Sequence, residues 1–175
     1  MKYLIVSDIH GSLDSAEHIL RLFNELKCDY ILCLGDVLYH GPRNDLPISY
    51  MPKGVIAILN PLKDKIICVK GNCEAEVDQM VLDFKIHDYY DAKFNGIETH
   101  LEHGHHLDEY QGKPELILSG HTHIPVCEMK DGILYVNPGS ITIPKAGSKR
   151  GYAILNDRNI SLYTLDNEKI MEYNL

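Results

Sequence analysis

Met1-Lys2-Tyr3-Leu4-Ile5-Val6-Ser7-Asp8-Ile9-His10-Gly11 is the stretch whose reading decides the fold. Lys2 to Ser7 is a near-continuous apolar run, the pattern of a strand covered on both faces, as in a parallel sheet. It ends abruptly in a carboxylate and an imidazole two residues apart. Alternation along an extended chain predicts that Asp8 and His10 point to one side and reach a common point past the strand's end. Oxygen and nitrogen donors aimed at one point are how a divalent cation is held. The arrangement recurs along the chain. Asp36 follows Ile31–Gly35, Asn72 follows Ile66–Gly71, His103 follows Ile97–Glu102, and His121 and His123 follow Leu116–Gly120.

Outward from that strand, Ser12 predicts an N-cap for a helix from about Leu13 to Leu26, with Asp14 in its first turn and an apolar stripe through Leu13, Ala16, Ile19, Leu20, Phe23 and Leu26. A strand over Asp29–Leu34 completes a strand-helix-strand unit, so the two strands are expected to be parallel neighbours. A long loop, Val37–Lys53, precedes a short helix from Val55 to about Leu62, a strand over Lys65–Lys70 and a helix from about Ala75 to Leu82. Glu74 is expected to begin that helix. The second half reads as hairpins: His87–Phe94 with Ile97–Glu102 through Asn95-Gly96, and Val126–Lys130 with Ile133–Val136 through Asp131-Gly132. Glu115–Ser119 is a further strand, Gly151–Leu155 pairs with Ile160–Leu165, and the tail from Glu168 adds a last strand. The parallel-type first half and the hairpin-rich second half predict two sheets packed face to face in a single domain over residues 1–175.

The chain has 175 residues, 45% apolar and 24% charged, with a net charge of -8. That charge argues against a broad basic surface for nucleic acid. Five cysteines without a Cys-x-x-Cys pair read as reduced thiols. With no leader before the first strand and no apolar run of membrane-spanning length, a cytoplasmic protein without a membrane partner is expected. Ten histidines are many for this length, and clustering after strand ends, beside aspartates, points toward ligands, although His100 alternates with Leu101 and reads as structural and His106 and His87 carry no functional assignment. Taken singly, Asp8 can be a turn former, Asp36 an Asx-turn and Asn72 a tight turn. Turn chemistry does not explain imidazoles at the other strand ends.

Asp8-Ile9-His10, Gly35-Asp36, Gly71-Asn72, His103-Gly104 and Gly120-His121-Thr122-His123, in that order, resemble the signature of the calcineurin-like metallophosphoesterase family over nearly the whole chain. Gly35-Asp36-Val37-Leu38-Tyr39-His40-Gly41-Pro42-Arg43-Asn44 and Gly71-Asn72-Cys73-Glu74 are similar to its small bacterial YfcE-type phosphodiesterases. The resemblance implies an α/β fold, a two-sheet β-sandwich flanked by helices in four αββα layers. It implies two divalent metal ions, manganese foremost, with Zn2+, Fe2+ and Ni2+ compatible. Asp8, His10 and His123 would hold the first, Asn72, His103 and His121 the second, and Asp36 would bridge both. Two cations about 3.5–4 Å apart can acidify a bridging water and clamp a phosphate. A hydroxide between them would attack a small phosphodiester in line, so no Ser or Cys nucleophile is required.

The chain departs from the wider family at Cys73, where many members carry a leaving-group-protonating His. A thiol with a pKa of about 8.5 is a weak substitute, so diesters with good leaving groups should react best. Cys73 can equally be a small filler. His105 and His40 are the candidate substitutes, with a solvated loop position the alternative for His105. Arg43 has the fork geometry for a phosphate, its alternative being an ion pair with Asp45. Lys145, Lys149 and Arg150 form a basic loop that either steers an anion or is merely solvated, and Asn137–Ser140 shapes backbone near the site. Two rival functions follow: a non-catalytic scaffold on the same fold, like a retromer subunit, or a nuclease. A homodimer is compatible with the Tyr-rich hairpins.

Overall fold

The computed structural model describes residues 1–175. The opening strand, β1 (Lys2–Val6), pairs in parallel with β2 (Tyr30–Cys33), and β2 with β3 (Ile66–Val69). The connection from β1 to β2 is α1 (Leu13–Glu25), whose Ser12 cap accepts from the Ser15 amide as its sequence predicts. The next helix, α2 (Pro52–Leu59), starts earlier than its apolar pattern suggests, because Pro52 presets the first turn. A 3-10 segment, Asn60–Lys65, then leads into β3. A short α3 (Glu76–Val81) follows, capped by Asp78, whose carboxylate accepts from the Ala75 amide at 2.9 Å. No helix is long and apolar enough to cross a membrane.

The expected single strand His87–Phe94 is in fact two. β4 (Ile86–His87) runs parallel to β3 at one edge of the first sheet, while β5 (Tyr90–Phe94) crosses to the second and pairs with β6 (Ile97–Leu101). The second sheet continues through β7 (Leu116–Leu118), β9 (Ile133–Pro138) and β8 (Pro125–Lys130), in the order β5-β6-β7-β9-β8. The division into first-half and second-half sheets also needs correcting. β10 (Gly151–Asn156), β11 (Asn159–Thr164) and β12 (Lys169–Asn174) return to the first sheet, where β10 pairs antiparallel with β1, giving the order β12-β11-β10-β1-β2-β3-β4. The dipeptide turns form as read, with Asn95 and Gly96 at φ +52° and +83° and Asp131 and Gly132 at +51° and +83°.

Each face of β1 builds one core. Leu4 and Val6 pack with Ala16, Ile19, Val55 and Leu59 of the helices. Tyr3 and Ile5 pack between the sheets against Phe94, Leu101, Leu118 and Val136. The helices α1 and α2 therefore cover the larger sheet. On the smaller sheet's outward face, the loop after β6, with its 3-10 turn Leu107–Glu109, does the covering. There His100 is buried beneath Tyr110, the rings stacked 3.7 Å apart, with Nδ1 at 2.6 Å from Asp91. His100 is thus structural, as its alternation with Leu101 suggests.

Ile5, fully buried between the sheets, tests this layering. Ile5→Ala is expected to cost about 2–5 kcal/mol, read as a lower urea midpoint at unchanged slope. A loss under about 0.5 kcal/mol, the size of a surface change, would contradict the inter-sheet position.

Candidate metal centre

The donors do not reach their common point by strand alternation. β1 ends at Val6, and Asp8 and His10 stand at φ +57° and +49°. Asp36, His121 and His123 are likewise left-handed, at +56°, +67° and +59°. That conformation is uncommon without glycine and concentrates where function imposes it. Here backbone pairing imposes it. The amides of Asp8, His10 and Gly11 donate to the carbonyls of Gly35, Asp36 and Val37 at 3.1, 2.8 and 2.8 Å, zipping the turn after β1 onto the turn after β2. Gly35 is required because a Cβ would stand 2.6 Å from the Gly71 amide nitrogen and 2.9 Å from His103 Nδ1. A side chain at Gly120 would collide with Ser7 Oγ and Asp8.

The seven donors named from sequence come together. Asp8 Oδ1 lies 3.1 Å from His123 Nε2 and 3.5 Å from His10 Nε2, and those nitrogens are 3.2 Å apart. Asp36 Oδ2 stands between two imidazoles, 3.4 Å from His103 Nε2 and 3.7 Å from His10 Nε2. Asn72 Oδ1 is 3.2 Å from His103 Nε2 and 2.7 Å from His121 Nδ1. The rings are aimed from behind. Nδ1 of His10, His123 and His103 faces the carbonyl oxygen of Tyr39, Ile143 and Leu34 at 2.8, 2.7 and 2.6 Å. A proton held there leaves Nε2 as a lone pair toward the cluster, the usual outer-shell support of metal-binding histidines. Asp8 Oδ1 is buried and has no hydrogen-bond partner, which fits a cation as its missing counterpart.

Charge tells the same story. Burial pulls His103 down, but its hydrogen bond to the Asp36 carboxylate and the charges of Asp8 and Asp36 reverse this and raise it to about 9. Burial raises Asp8 and Asp36, and the facing histidines lower both below the ordinary carboxylate range. Without metal, a proton on His103 stands in for a cation; metal binding would displace it. His121 is lowered, by burial first and then by the charge of His103, with Arg43 adding to it.

Glu74 is not the first residue of a helix. Its carboxylate turns inward and accepts from the amides of Asp36 at 2.9 Å, Val37 at 2.6 Å and Gly71. It thereby clamps the turns that carry Asp36 and Asn72. Burial first, then the charge of Asp36, raises its pKa. The Asn137–Ser140 loop shapes the site as expected: Asn137 Nδ2 holds the Gly120 carbonyl at 2.6 Å and Ser140 Oγ holds that of Asp8 at 2.9 Å.

The remaining candidates fall in different places. Cys73 lines the cleft over Asp36, Asn72, His121 and His123. Its amide donates to Asp36 Oδ1 at 2.9 Å, and burial, then the charge of Asp36, pushes its thiol up to about 12. Arg43 lines the same cleft and makes no ion pair with Asp45 or any other carboxylate. Lys145, which the sequence leaves between steering and solvation, joins it there. His105 is exposed and does not line the cleft, but it neighbours the donors, its ring 5.5 Å from that of His103 and 5.9 Å from that of His121. His40 stands apart, its ring edge-on to Tyr39 and Tyr50 at 4.7 and 5.3 Å, and it does not line the cleft.

Two mixed sheets with carboxylate, amide and imidazole donors at adjoining strand ends define an α/β metallophosphoesterase. Residues 1–159 match the calcineurin-like phosphoesterase superfamily domain, and the chain belongs to that family, whose members work with divalent metal ions. Phosphodiesterase YfcE of Escherichia coli is 39% identical over 176 residues, spanning 98% of this chain and 96% of that protein. The solved structure of YfcE, a phosphoesterase from E. coli, superposes at a TM-score of 0.95 over 99% of both chains. Wild-type Vps29 from Entamoeba histolytica, solved with Zn2+, shares the fold at a TM-score of 0.64 and 21% identity over 99% of both chains.

Removing the Glu74 clamp leaves three amides without their acceptor. Glu74→Ala is expected to weaken Mn2+ binding about 10–100-fold in calorimetric titration while circular dichroism stays native. Unchanged affinity would show that the clamp does not position Asp36.

Proposed function

We propose that this chain is a phosphodiesterase that hydrolyses small phosphodiesters with two divalent cations, Mn2+ foremost. Asp8, His10 and His123 would hold one, Asn72, His103 and His121 the other, with Asp36 between them. The observation that carries the reading is the convergence of the Asp8 and Asp36 carboxylates with imidazole nitrogens at 3.1–3.7 Å, around an Asp8 oxygen with no other partner. Mixed oxygen and imidazole donors without thiolate suit manganese, iron, zinc or nickel. When bound, such a pair lowers the pKa of a water and offsets charge on the phosphate oxygens. The protein's part is orientation: left-handed turns present the donors, backbone carbonyls fix the rings, and Glu74 holds the two carboxylate- and amide-bearing turns in register.

The leaving oxygen must gain a proton. Cys73 occupies the position from which wider-family members deliver it, and a thiol is a poor acid there. His105, the imidazole next to His103 and His121 but outside the donor set, is the group we assign to this transfer; His40 is not, since its ring packs edge-on to two tyrosines. This arrangement favours leaving groups that depart without much help, and it favours diesters with aryl or similarly acidic alcohols.

Bis(p-nitrophenyl) phosphate should be hydrolysed in the presence of Mn2+, with loss of turnover on chelation and in Asp36→Asn. Full turnover after thorough metal removal would contradict the reading. Only traces with every diester and monoester, beside a tight protein partner, would favour the scaffold, and cleavage of single-stranded DNA would favour the nuclease. A second test concerns the thiol. Cys73→His should raise kcat for alkyl-leaving diesters by on the order of tenfold relative to p-nitrophenyl ones. An equal change for both leaving groups would contradict the role given to this position.

A further inference from the structure

Two cations at the cleft have no partner within the protein. Lys149, Arg150, Arg158, Lys93 and Lys169 each pair with a carboxylate at 2.6–2.9 Å. Arg43 and Lys145 belong to the larger group that does not, and within it they are set apart by position. Both line the cleft that Asp36, Asn72, Cys73 and His121 open into.

Their positions are built, not incidental. Arg43 sits in a turn closed by Asn44, whose Nδ2 donates to the His40 carbonyl at 2.7 Å. The residue before that turn, Tyr39, supplies the carbonyl facing His10 Nδ1. Lys145 sits in a turn closed by Ser148, whose Oγ donates to the Lys145 carbonyl at 2.6 Å. The Lys145 amide donates to the His123 carbonyl at 3.3 Å, and nearby Ile143 supplies the carbonyl facing His123 Nδ1. Each turn therefore does two things. It adjoins the carbonyl that faces one imidazole of the donor cluster, and it carries one positive charge at the cleft.

Charge balance says what those cations are for. Two divalent cations already exceed the Asp8 and Asp36 carboxylates, and a simple diester brings a single negative charge. Two further cations beside the centre meet no second negative charge on such a substrate, and both are exposed and free to receive one that a larger substrate brings. We infer that Arg43 and Lys145 are specificity residues for a phosphodiester that carries a second anionic group, a phosphate or a carboxylate, on one of its alcohols. This rests on the phosphodiesterase reading. A guanidinium and an ammonium on separate turns can grip that group from two directions, the fork of Arg43 in bidentate fashion.

The test uses three diesters with the same p-nitrophenol leaving group. The other alcohol is phenol, 4-carboxyphenol or 4-phosphonophenol, and the protein is the Mn2+-loaded full chain. Wild type is expected to show kcat/KM about tenfold higher for at least one charged ester, expressed in KM and diminished by added salt. The carboxylate and phosphonate arms tell which anion is preferred. In Arg43→Gln/Lys145→Gln the ratio of charged to uncharged ester should fall to near one, a ratio that general loss of activity does not move. A wild-type ratio near one, or a ratio that survives in the double variant, would overturn the inference while turnover of the phenyl ester keeps the phosphodiesterase reading intact. No turnover of any of the three would overturn both.

Discussion

Two carboxylates, Asp8 and Asp36, are buried side by side at the ends of neighbouring parallel strands, and the site is organised around offsetting their charge. Ionised groups are held away from water only with compensation. Asp8 is fully buried, and one of its oxygens has no hydrogen-bond partner. Three imidazoles crowd the pair, and the carboxylates raise His103 to about 9 against the pull of burial. The metal-free chain thus holds a proton on His103 beside the two carboxylates, where a cation fits. A centre built this way is poised to exchange protons for metal, and its affinity rises as pH removes the competing protons.

Holding that charge in place demands unusual backbone. Five donors adopt left-handed turns, which cost energy for residues with side chains. The surrounding hydrogen bonds make up the difference: the turn after β1 is paired to the turn after β2, and Glu74 clamps the turns after β2 and β3 together. The same economy extends outward. The turns that present Arg43 and Lys145 closely follow Tyr39 and Ile143, whose carbonyls aim His10 and His123. On the proposed reading, recognition of substrate and orientation of metal ligands would be carried by neighbouring segments, and a change in one would be felt by the other.

Much of this was legible in the sequence, for identifiable reasons. Apolar runs that stop in Asp, Asn or His locate the donors because strand ends in an open α/β sheet converge on one edge. The reason offered there, alternation along an extended strand, does not hold for Asp8 and His10, whose positive φ no local pattern reveals. The break between β4 and β5 is hidden because Asp88-Tyr89 lacks the Gly or Pro that marks a change of direction. The return of β10 to β12 to the first sheet is hidden too, since a hairpin's apolar alternation does not say which sheet it joins. Glu74 reads as an ordinary helix-start carboxylate; two of the three amides that donate to it lie on a distant turn, and only its place directly after the Gly71-Asn72-Cys73 run hints otherwise. Lys145 looks like one solvated lysine among several until the fold sets it opposite Arg43.

The central claim is that one cavity holds a pair of divalent ions. Electron paramagnetic resonance of the chain reconstituted with Mn2+, calibrated by elemental analysis, tests it most directly. The account predicts two manganese ions per chain with the spectrum of an exchange-coupled pair. A single ion with an uncoupled six-line spectrum, or no retained manganese, would contradict it.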